Sequence, residues 1–474
     1  MATEMGAESL LHEISNYCRT VGMAESTFGR RAVNDGKFVS RLRYGGRVTL
    51  TTVERVRSFI NAEPRAAHSS SNGVQPVMLR PLPISPPAAQ HEESANPGQN
   101  FRFFDNRQKY LMFVNTCSEK WMEAGRVDLE LNNIRPRPPA LRLFDAGVGD
   151  GMVLTRVMRS MHRRFERMPF YIVGKEISRE DVRLTLEKFP DRFHEHPATV
   201  LVMTNLNYSE APWLLPQSSE VAAGLVWHEL ALRGDTASEF EEQITDLHSF
   251  LAANWRTKIS KKNCGPVYEK PVVLVIYRED CRFLLDSVLP RRGAVRAEYD
   301  LVIASQPYRA RASVNFKAER VIAPLARSLG LGGRLIGIHS CGNDPGLEII
   351  QRVWPNENPF QTNRHELLRA TKTALGRNAR NYSFNAYSDQ RSVFRYDVHT
   401  LPSELDIDAA SISTSTLFAA WNAATFVAQM EDHRLIEAMG SSAYLQATRE
   451  ILREHNGLWF YDESYVISRK NNLM

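Results

Sequence analysis

The chain has 474 residues, of which 43% are hydrophobic, and a formal net charge of +5. This length accommodates one large or two to three smaller globular domains, and so mild a charge indicates no particular partner. No apolar run approaches the roughly 18 residues of a membrane span, and acids stand where a signal peptide would be basic, so we expect a cytoplasmic protein without membrane contact. The five cysteines show no CxxC pair or metal-ligand spacing, so we expect neither disulfides nor a metal site.

Residues 1–63 are predicted to form four short helices, from the segments SLLHEISNYCRTVG, AESTFGRRAV, GKFVSRLRYG and LTTVERVRSFI. Six basic residues stand against one acid between Arg30 and Arg47. The pattern resembles a phage-repressor type helix-turn-helix, which implies that Arg41, Arg43 and Arg47 contact DNA. The alternative is a small helical bundle whose basic face is solvated or docks on another surface.

Residues 64–100 are rich in Pro, Ser, Ala and Asn and contain few large apolar side chains. Such a composition buries too little surface to offset the entropy of ordering, so we predict a disordered linker. It separates the helical module from a larger domain of residues 101–474.

The stretch LRLFDAGVGDG, Leu141 to Gly151, places glycine at alternate positions after an apolar run. Leu141, Leu143 and Phe144 predict a buried parallel strand, and the following MVLTRVMRSMHRRF has helical spacing. The glycines therefore lie at a strand-to-helix turn, the usual ligand crevice of a doubly wound sheet.

The charges at this turn distinguish two kinds of cofactor. A dinucleotide site has the uncharged pattern G-x-G-x-x-G because its amides face a pyrophosphate, which Asp145 and Asp150 would repel. S-adenosylmethionine has no phosphate and carries a sulfonium and an ammonium group. The acids therefore favour S-adenosylmethionine.

The turn resembles the first motif of the class I S-adenosylmethionine-dependent methyltransferases, D/E-x-G-x-G-x-G, which Asp145, Gly147, Gly149 and Gly151 match. The resemblance extends over roughly residues 101–470. It implies a Rossmann-like α/β fold with a seven-stranded sheet, S-adenosylmethionine as cofactor, and these four residues in its binding site.

Two further cofactor contacts follow from the same resemblance. The second strand, FYIVGKEIS, ends in Glu176, where the family places the acid that takes both ribose hydroxyls, since one carboxylate accepts two hydroxyl donors. The third strand, ATVLVMTNLNY, ends near Asn205, where a polar side chain meets the adenine amine. The alternative for Asn205 is an ordinary loop residue.

Two later stretches compete as the fourth strand. VAAGLVWHELAL is followed by a helical segment, whereas AEYDLVIASQPYRAR is followed by a helix, a Gly-Gly turn and a fifth strand. We choose the second because it has the family's order. Residues 208–298 then become a large insertion with its own strand, PVVLVIYRED.

The chosen fourth strand ends in Ser305, Gln306, Pro307 and Tyr308. This loop resembles the D/N/S-P-P-Y/F motif of methyltransferases that act on nitrogen, with Gln306 in place of the first proline. The motif implies that Ser305, Pro307 and Tyr308 hold the acceptor, because a side-chain oxygen and a carbonyl orient the amine and an aromatic ring packs on it. The alternative is a strand-ending loop with a core tyrosine.

The remaining segments complete the predicted fold. SVFRYDVHTLP and LWFYDESYVISR are predicted as the sixth and seventh strands, separated by the helix STSTLFAAWNAATFVAQMEDHRL. A helix beginning FRFFDNRQKY precedes the first strand and offers Arg107 and Tyr110 as residues covering the cofactor. Candidate proton acceptors are His228, Glu229 and His339.

The sequence therefore predicts methyl transfer from S-adenosylmethionine to an unidentified small-molecule or protein acceptor, at nitrogen. Two alternatives stay open: a DNA adenine methyltransferase, and a DNA-binding transcription regulator that uses the larger domain as a cofactor sensor. The larger domain lacks an evident basic and aromatic cluster for a flipped base, which counts against the first. The sequence indicates neither the acceptor nor the oligomeric state.

Overall fold

A computed structural model describes residues 4–21, 23, 25–33, 35–43, 50–62, 107–260, 266–399 and 412–471. The chain divides into two compact units, residues 1–92 and 93–474. The predicted linker, residues 64–100, lies outside the described residues, so its disorder and the boundaries of the two predicted domains stay predictions. Within the described residues, no helix combines the length and the apolar character that a membrane span requires.

The first unit contains the four predicted helices: α1 (Glu4–Val21), α2 (Glu25–Val33), α3 (Phe38–Arg43) and α4 (Leu50–Ala62). They enclose a small apolar core because each contributes large side chains at helical spacing, among them Leu10, Ile14, Phe28, Leu42 and Val56. The predicted helix-turn-helix function of this unit stays a prediction.

The second unit alternates helices and strands. Its helices are α5 (Arg107–Thr116), α6 (Glu119–Leu131), α7 (Met152–Arg164), α8 (Arg179–Leu186), α9 (Pro190–Glu195), α10 (Ser219–Ala223), α11 (Ala237–Thr245), α12 (Leu247–Asn254), α13 (Arg282–Leu285), α14 (Val314–Phe316), α15 (Ala323–Arg327), α16 (Pro345–Val353), α17 (Arg364–Leu375), α18 (Asp389–Ser392), α19 (Thr414–Val427), α20 (Asp432–Met439) and α21 (Ala443–His455). Short 3-10 turns occupy Ala211–Trp213, Glu279–Cys281 and Gly376–Asn381, and a π-helical segment, Lys317–Ile322, joins α14 to α15.

Its strands are β1 (Leu141–Asp145), β2 (Phe170–Lys175), β3 (Thr199–Thr204), β4 (Val226–Leu232), β5 (Thr257–Ile259), β6 (Pro266–Tyr268), β7 (Val272–Arg278), β8 (Tyr299–Ser305), β9 (Leu329–Ser340), β10 (Tyr382–Asn385), β11 (Val393–Asp397) and β12 (Trp459–Arg469).

One large mixed sheet organises the second unit. Its strand order is β10-β12-β9-β8-β1-β2-β3-β7-β4, and β5 and β6 form a separate hairpin. β1 pairs in parallel with β2 and β8, β8 pairs in parallel with β9, and β12 runs antiparallel to β9. The central strands are almost wholly buried because helices cover both faces. This mixed α/β architecture is consistent with the predicted Rossmann-like methyltransferase fold.

The choice of AEYDLVIASQPYRAR as the fourth strand is confirmed, since β8 pairs with β1 on one side and β9 on the other. The predicted strand of the insertion is also confirmed: it forms β7, which runs antiparallel to β3. The rejected candidate, VAAGLVWHELAL, forms β4 and pairs with β7 at the outer edge. The insertion therefore widens the central sheet.

The predicted sixth strand is wrong in its extent. That position is filled by two short strands, β10 and β11, which pair with successive parts of β12. Between them the chain leaves the sheet through Tyr387, whose φ is +45°, and the short helix α18. The predicted seventh strand is confirmed as β12.

Two helices predicted as continuous are each divided. The helix before the first strand breaks between α5 and α6 because Cys117 forms a backbone bridge to Val398 and the Ser118 amide donates to Asp397. The later apolar helix divides into α19 and α20 at a turn where Gln429 has a φ of +51°. Both breaks bring backbone from one segment against another, which helical periodicity does not reveal.

Candidate functional site

The three glycines lie where β1 ends and α7 begins, as predicted. The Ala146 amide donates to Ile303 O on β8, so the chain leaves β1 beside the end of its neighbour. Gly149 and Gly151 have φ values of +57° and +79°, which L side chains rarely adopt. The turn therefore requires glycine at these two positions for its backbone conformation.

Close contacts restrict the same two glycines. A Cβ on Gly149 would lie 3.2 Å from the hydroxyl of Tyr110, and one on Gly151 would lie 3.0 Å from three atoms of Thr185. Gly147 differs, because its nearest contact for a Cβ is Ser305 O at 3.9 Å. Local packing therefore leaves room for a side chain at Gly147.

Tyr110 lies against this turn, as the sequence suggested. Its hydroxyl accepts a hydrogen bond from the Asp150 amide at 3.3 Å. Thr185 donates to Gly149 O at 2.8 Å, and Lys188 donates to Asp150 O at 2.6 Å. The turn is therefore held by α5 and by α8 and the residues after it. Of Arg107 only the backbone is described, so its predicted role is not tested.

Asp145 ends β1 with a side chain that is 2% exposed. Its carboxyl accepts a hydrogen bond from the Gly147 amide at 3.2 Å. Burial raises the pKa of Asp145 to about 7. An ionised carboxylate at this position is costly without a cation, and a cationic ligand would supply one.

Glu176 follows β2 and faces the turn, as predicted. One carboxylate oxygen accepts the Gly149 amide at 3.0 Å, and the other accepts the amides of Ile177 and Ser178 at 2.7 and 2.9 Å. A carboxylate has about four acceptor positions, so one position stays open for a hydroxyl donor in this arrangement. Taking both ribose hydroxyls requires one of these amides to give way.

Asn205 follows β3 but is 1% exposed. Its amide nitrogen donates to Lys270 O at 2.9 Å, and its amide oxygen accepts from the Val272 amide at 2.8 Å. The side chain therefore joins β3 to the insertion. Contact with an adenine amine would require the ligand to reach the second lone pair of this buried oxygen.

A group of buried carboxyls that the sequence did not reveal lies at the same edge of the sheet. We call Glu119, Glu123 and Asp462 the carboxyl cluster; their oxygens lie within 4.8 Å of one another. Lys120 Nζ lies 2.7 Å from Glu119 Oε2 and 3.1 Å from Glu123 Oε2. Burial raises the pKa of Glu119 to about 7 and raises the pKa of Asp462 as well.

The carboxyl cluster connects the glycine turn to the loop after β8. Ser305 donates a hydrogen bond to Glu123 Oε1, and Glu123 in turn raises the pKa of Asp145. Gln306 Nε2 donates to Asp462 Oδ1 at 3.3 Å. Asp462 Oδ2 is buried and has no hydrogen-bond partner among the described residues. Together with Asp145, four carboxyls share one ammonium group here, so ionising all of them would leave an excess of negative charge.

The loop Ser305–Tyr308 has a backbone that explains its departure from the motif. Gln306 has a φ of +45°, and its amide and side chain bond to β9 through Ile338 O and Ser340 Oγ. Proline is fixed near a φ of about −65°, so it cannot occupy this position. Pro307 O accepts a hydrogen bond from Tyr208 Oη at 2.6 Å. Proline is therefore excluded from position 306 for a conformational reason.

Tyr308 begins a chain of hydrogen bonds that passes through His339. Tyr308 Oη lies 2.6 Å from His339 Nδ1, and His339 Nε2 lies 2.8 Å from Glu463 Oε1. Although burial acts in the opposite direction, His339 and Arg364 hold the pKa of Glu463 below its usual value. A carboxylate at Nε2 fixes the imidazole with its proton on Nε2, so Nδ1 accepts from Tyr308. This arrangement can receive a proton through Tyr308.

A pocket opens beside this chain. Its lining includes Gln306, Tyr308, Lys317, His339 and Gln429. The candidate proton acceptor His339 is therefore at the pocket. His228 and Glu229 are not, because both lie on β4 at the outer edge, where His228 stacks on Phe250.

Two of the arginines predicted to contact DNA are paired with acids. Arg41 forms a salt bridge with Asp35, and Arg43 donates two hydrogen bonds to Glu25, at 2.7 and 2.9 Å. Both arginine side chains are more than half exposed. Arg47 lies outside the described residues.

Comparisons with known proteins give weak likenesses. No family model and no curated protein matches the chain. Among solved structures, geranyl diphosphate methyltransferase in complex with GPP and sinefungin is 12% identical, with a TM-score of 0.26, over 73% of this chain and 78% of that one. Loganic acid methyltransferase with SAH is 10% identical, with a TM-score of 0.29, over 78% and 97%.

A third solved structure, described as a sarcosine dimethylglycine methyltransferase from Galdieria sulphuraria, is 8% identical, with a TM-score of 0.28, over 77% of this chain and 86% of that one. All three are methyltransferases by description. Since the identities and TM-scores are this low, the proposals below rest on this chain's own residues.

Proposed function

We propose that the second unit transfers a methyl group from S-adenosylmethionine to nitrogen of an acceptor. The observation that carries this proposal is the excess of buried carboxyls beside a glycine turn. Asp145 and the carboxyl cluster provide four acids against the ammonium of Lys120. Such a site repels phosphates and favours a ligand with positive charge, and S-adenosylmethionine carries a sulfonium and an ammonium group.

In this proposal, Gly147, Gly149 and Gly151 let the backbone approach the cofactor, and Glu176 takes the ribose hydroxyls. Asp145 lies where it can stabilise the positive end of the cofactor. Asn205 contacts the adenine through the lone pair of its amide oxygen that Val272 does not use. The strand order supports this placement, because β1, β2 and β3 are neighbours and their carboxyl ends share one edge.

The loop after β8 is proposed to hold the acceptor. Ser305 donates its hydroxyl hydrogen to Glu123, so the lone pairs of Ser305 Oγ are available. They can accept a hydrogen bond from the acceptor amine and thereby orient the lone pair of the amine nitrogen. Pro307 O already accepts from Tyr208, and a second donor can reach its other lone pair. Methyl transfer needs no metal, since the sulfonium leaves as a neutral thioether.

The methylated nitrogen must lose a proton, and the Tyr308 chain can take it. The nitrogen gives its proton to Tyr308 Oη while the Tyr308 hydroxyl proton passes to His339 Nδ1. Glu463 stabilises the imidazolium that results, as the acid does in a catalytic triad.

The first test is calorimetric titration of the full chain with S-adenosylhomocysteine, with NADH as control. Binding of S-adenosylhomocysteine alone is expected. Because burial raises the pKa of Asp145 to about 7, its ionised form, which the ligand's ammonium favours, is scarce below that pH. Affinity is therefore expected to rise roughly tenfold between about pH 6 and about pH 8.

The matched variants are Asp145→Asn and Asp300→Asn. Asp300 lies at the opposite end of the sheet, where its carboxylate accepts the Arg142 amide, and burial also raises its pKa, to about 6. We expect Asp145→Asn to weaken binding and flatten its pH dependence, and Asp300→Asn to change neither. Binding of NADH, or of neither ligand, would contradict the proposal.

We propose separately that the first unit binds DNA. The supporting observation is the division of α3 into two faces: Phe38 and Leu42 are buried, whereas Ser40, Arg41 and Arg43 are exposed. A short helix with one apolar and one basic face suits a position in the major groove. On binding DNA, Arg41 and Arg43 would break their ion pairs with Asp35 and Glu25 and pair with phosphates instead.

Fluorescence anisotropy with a labelled duplex of random sequence tests this second proposal. Non-specific binding is expected to weaken steeply with salt, and each lost phosphate contact should reduce the slope of the log–log plot by about one. Arg41→Ser is expected to reduce this slope. Arg57→Ser is the control, because Arg57 lies on α4 and its exposed partner Glu13 lies on α1. Equal slopes for both variants would favour the solvated helical bundle.

A further inference from the structure

Lys317 is a buried cation without an anionic partner. It is 3% exposed and begins the π-helical segment between α14 and α15. Its ammonium donates to Ala310 O at 2.7 Å and lies 5.2 Å from the centre of the Tyr308 ring. Within the described part of the chain, no carboxylate forms a salt bridge with it, and burial alone lowers its pKa, to about 8.

Three other cations near the site are paired with acids. Lys120 has Glu119 and Glu123, Arg364 has Glu463, and Arg311 has Glu357. Lys317 differs from these three because, among the described residues, its hydrogen-bond acceptor is a backbone carbonyl, which leaves two of its three N–H groups for another partner. A buried charge of this kind is destabilising unless a counter-ion completes it.

The pocket beside Tyr308 is where the end of that partner can enter, since its enclosed volume of about 10 Å³ holds one water-sized group. Lys317 lines this pocket with Gln306, Tyr308 and His339, and none of the described residues that line it is acidic. The helix around Lys317 is widened into a π-helix just before Pro324, which lacks an amide hydrogen and cannot continue the normal bonding. Such widened turns are frequent at functional sites.

We propose that the methyl acceptor is a small molecule that carries an anionic oxygen group, carboxylate or phosphate, which binds Lys317 in this pocket. The group anchors the acceptor and is separate from the nitrogen that is methylated. Phe360 and Val427 line the same pocket and provide apolar walls for the part of the acceptor between its anionic group and its nitrogen. This inference rests on the proposed function and specifies the chemical class of the methyl acceptor.

Ligand-observed NMR on the full chain saturated with S-adenosylhomocysteine tests the inference. The probes are matched sets in which the ionic group alone varies: benzoate and benzamide, phenylacetate and phenylacetamide, and phenyl phosphate and phenol. Tighter binding of the acid or the phosphate than of its neutral counterpart, by roughly tenfold, is expected. Comparing the affinities of the carboxylate and phosphate probes shows which of the two anionic groups the pocket prefers.

Lys317→Met is expected to remove the preference for the anions, whereas Lys372→Met, at an exposed position of α17, retains it. Should Lys317→Met not fold, Lys317→Gln keeps a donor for Ala310 O without the charge. Equal binding of charged and neutral probes, binding of none, or an anion preference that survives loss of Lys317 would overturn the inference. Saturation with S-adenosylhomocysteine is verified first, so a failed cofactor site is distinguished from a failed anion site.

Discussion

Gly147→Val is expected to weaken S-adenosylhomocysteine binding by roughly a hundredfold or more, about 2.7 kcal/mol of binding free energy, while the chain still folds. The fold should persist because a Cβ at this position meets nothing closer than Ser305 O at 3.9 Å, and its φ is not positive. Valine would instead fill the crevice between the ends of β1 and β8, where the cofactor is proposed to lie. Calorimetry measures the affinity, and circular dichroism verifies the fold.

Two other glycines serve as controls for this expectation. Gly125→Val places the same side chain on the exposed face of α6, where nothing lies within 4 Å, and should leave binding unchanged. Gly151→Ala should reduce stability as well as binding, because its Cβ would lie 3.0 Å from Thr185 and its φ is +79°. Normal affinity in Gly147→Val would place the ligand elsewhere.

Arg364→Met is expected to lower the free energy of unfolding of the second unit by about 3–5 kcal/mol. Arg364 pairs with Glu463 at 2.6 Å, and the two side chains are 6% and 4% exposed. Arg364 also donates to Ala386 O and to Asp389. Its removal would leave the Glu463 carboxylate buried with only neutral donors, and would raise the pKa of Glu463.

Urea denaturation followed by tryptophan fluorescence measures this effect on the second unit alone, because all seven tryptophans lie beyond residue 92. Arg352→Met is the matched variant: its partners Glu450 and Glu454 are, like itself, more than 40% exposed. Its cost should not exceed about 1 kcal/mol. Similar costs for the two variants would show that burial of the Glu463 pair contributes little.

The geometry of the glycine turn could be predicted because its signals are local. Glycine spacing, an acid at the end of a strand and a following helix all fall within a short stretch, and Asp145, Gly147, Gly149, Gly151 and Glu176 meet at one edge of the sheet, as expected. The fourth strand was distinguishable by the order of the elements that follow it.

The rest depends on contacts between distant segments. The carboxyl cluster combines α6 with β12, and nothing in either segment alone indicates that they meet. The i, i+4 spacing of Glu119 and Glu123, and two acids within the apolar strand FYDESY, are the signals that were present. The contacts of Asn205 could not be predicted because its side chain forms hydrogen bonds with the backbone of the insertion, at Lys270 O and the Val272 amide.

The position of β12 has a consequence for how the protein is made. β12 comes after every other strand of the described chain but lies inside the sheet, between β9 on one side and β10 and β11 on the other. A nascent chain therefore carries β9 with an open edge until residues 459–469 have emerged from the ribosome. Such an edge is prone to wrong pairing, so we infer a period of dependence on chaperones. Because Asp462 and Glu463 emerge with this strand, synthesis past it both closes the sheet and supplies the last acids of the site.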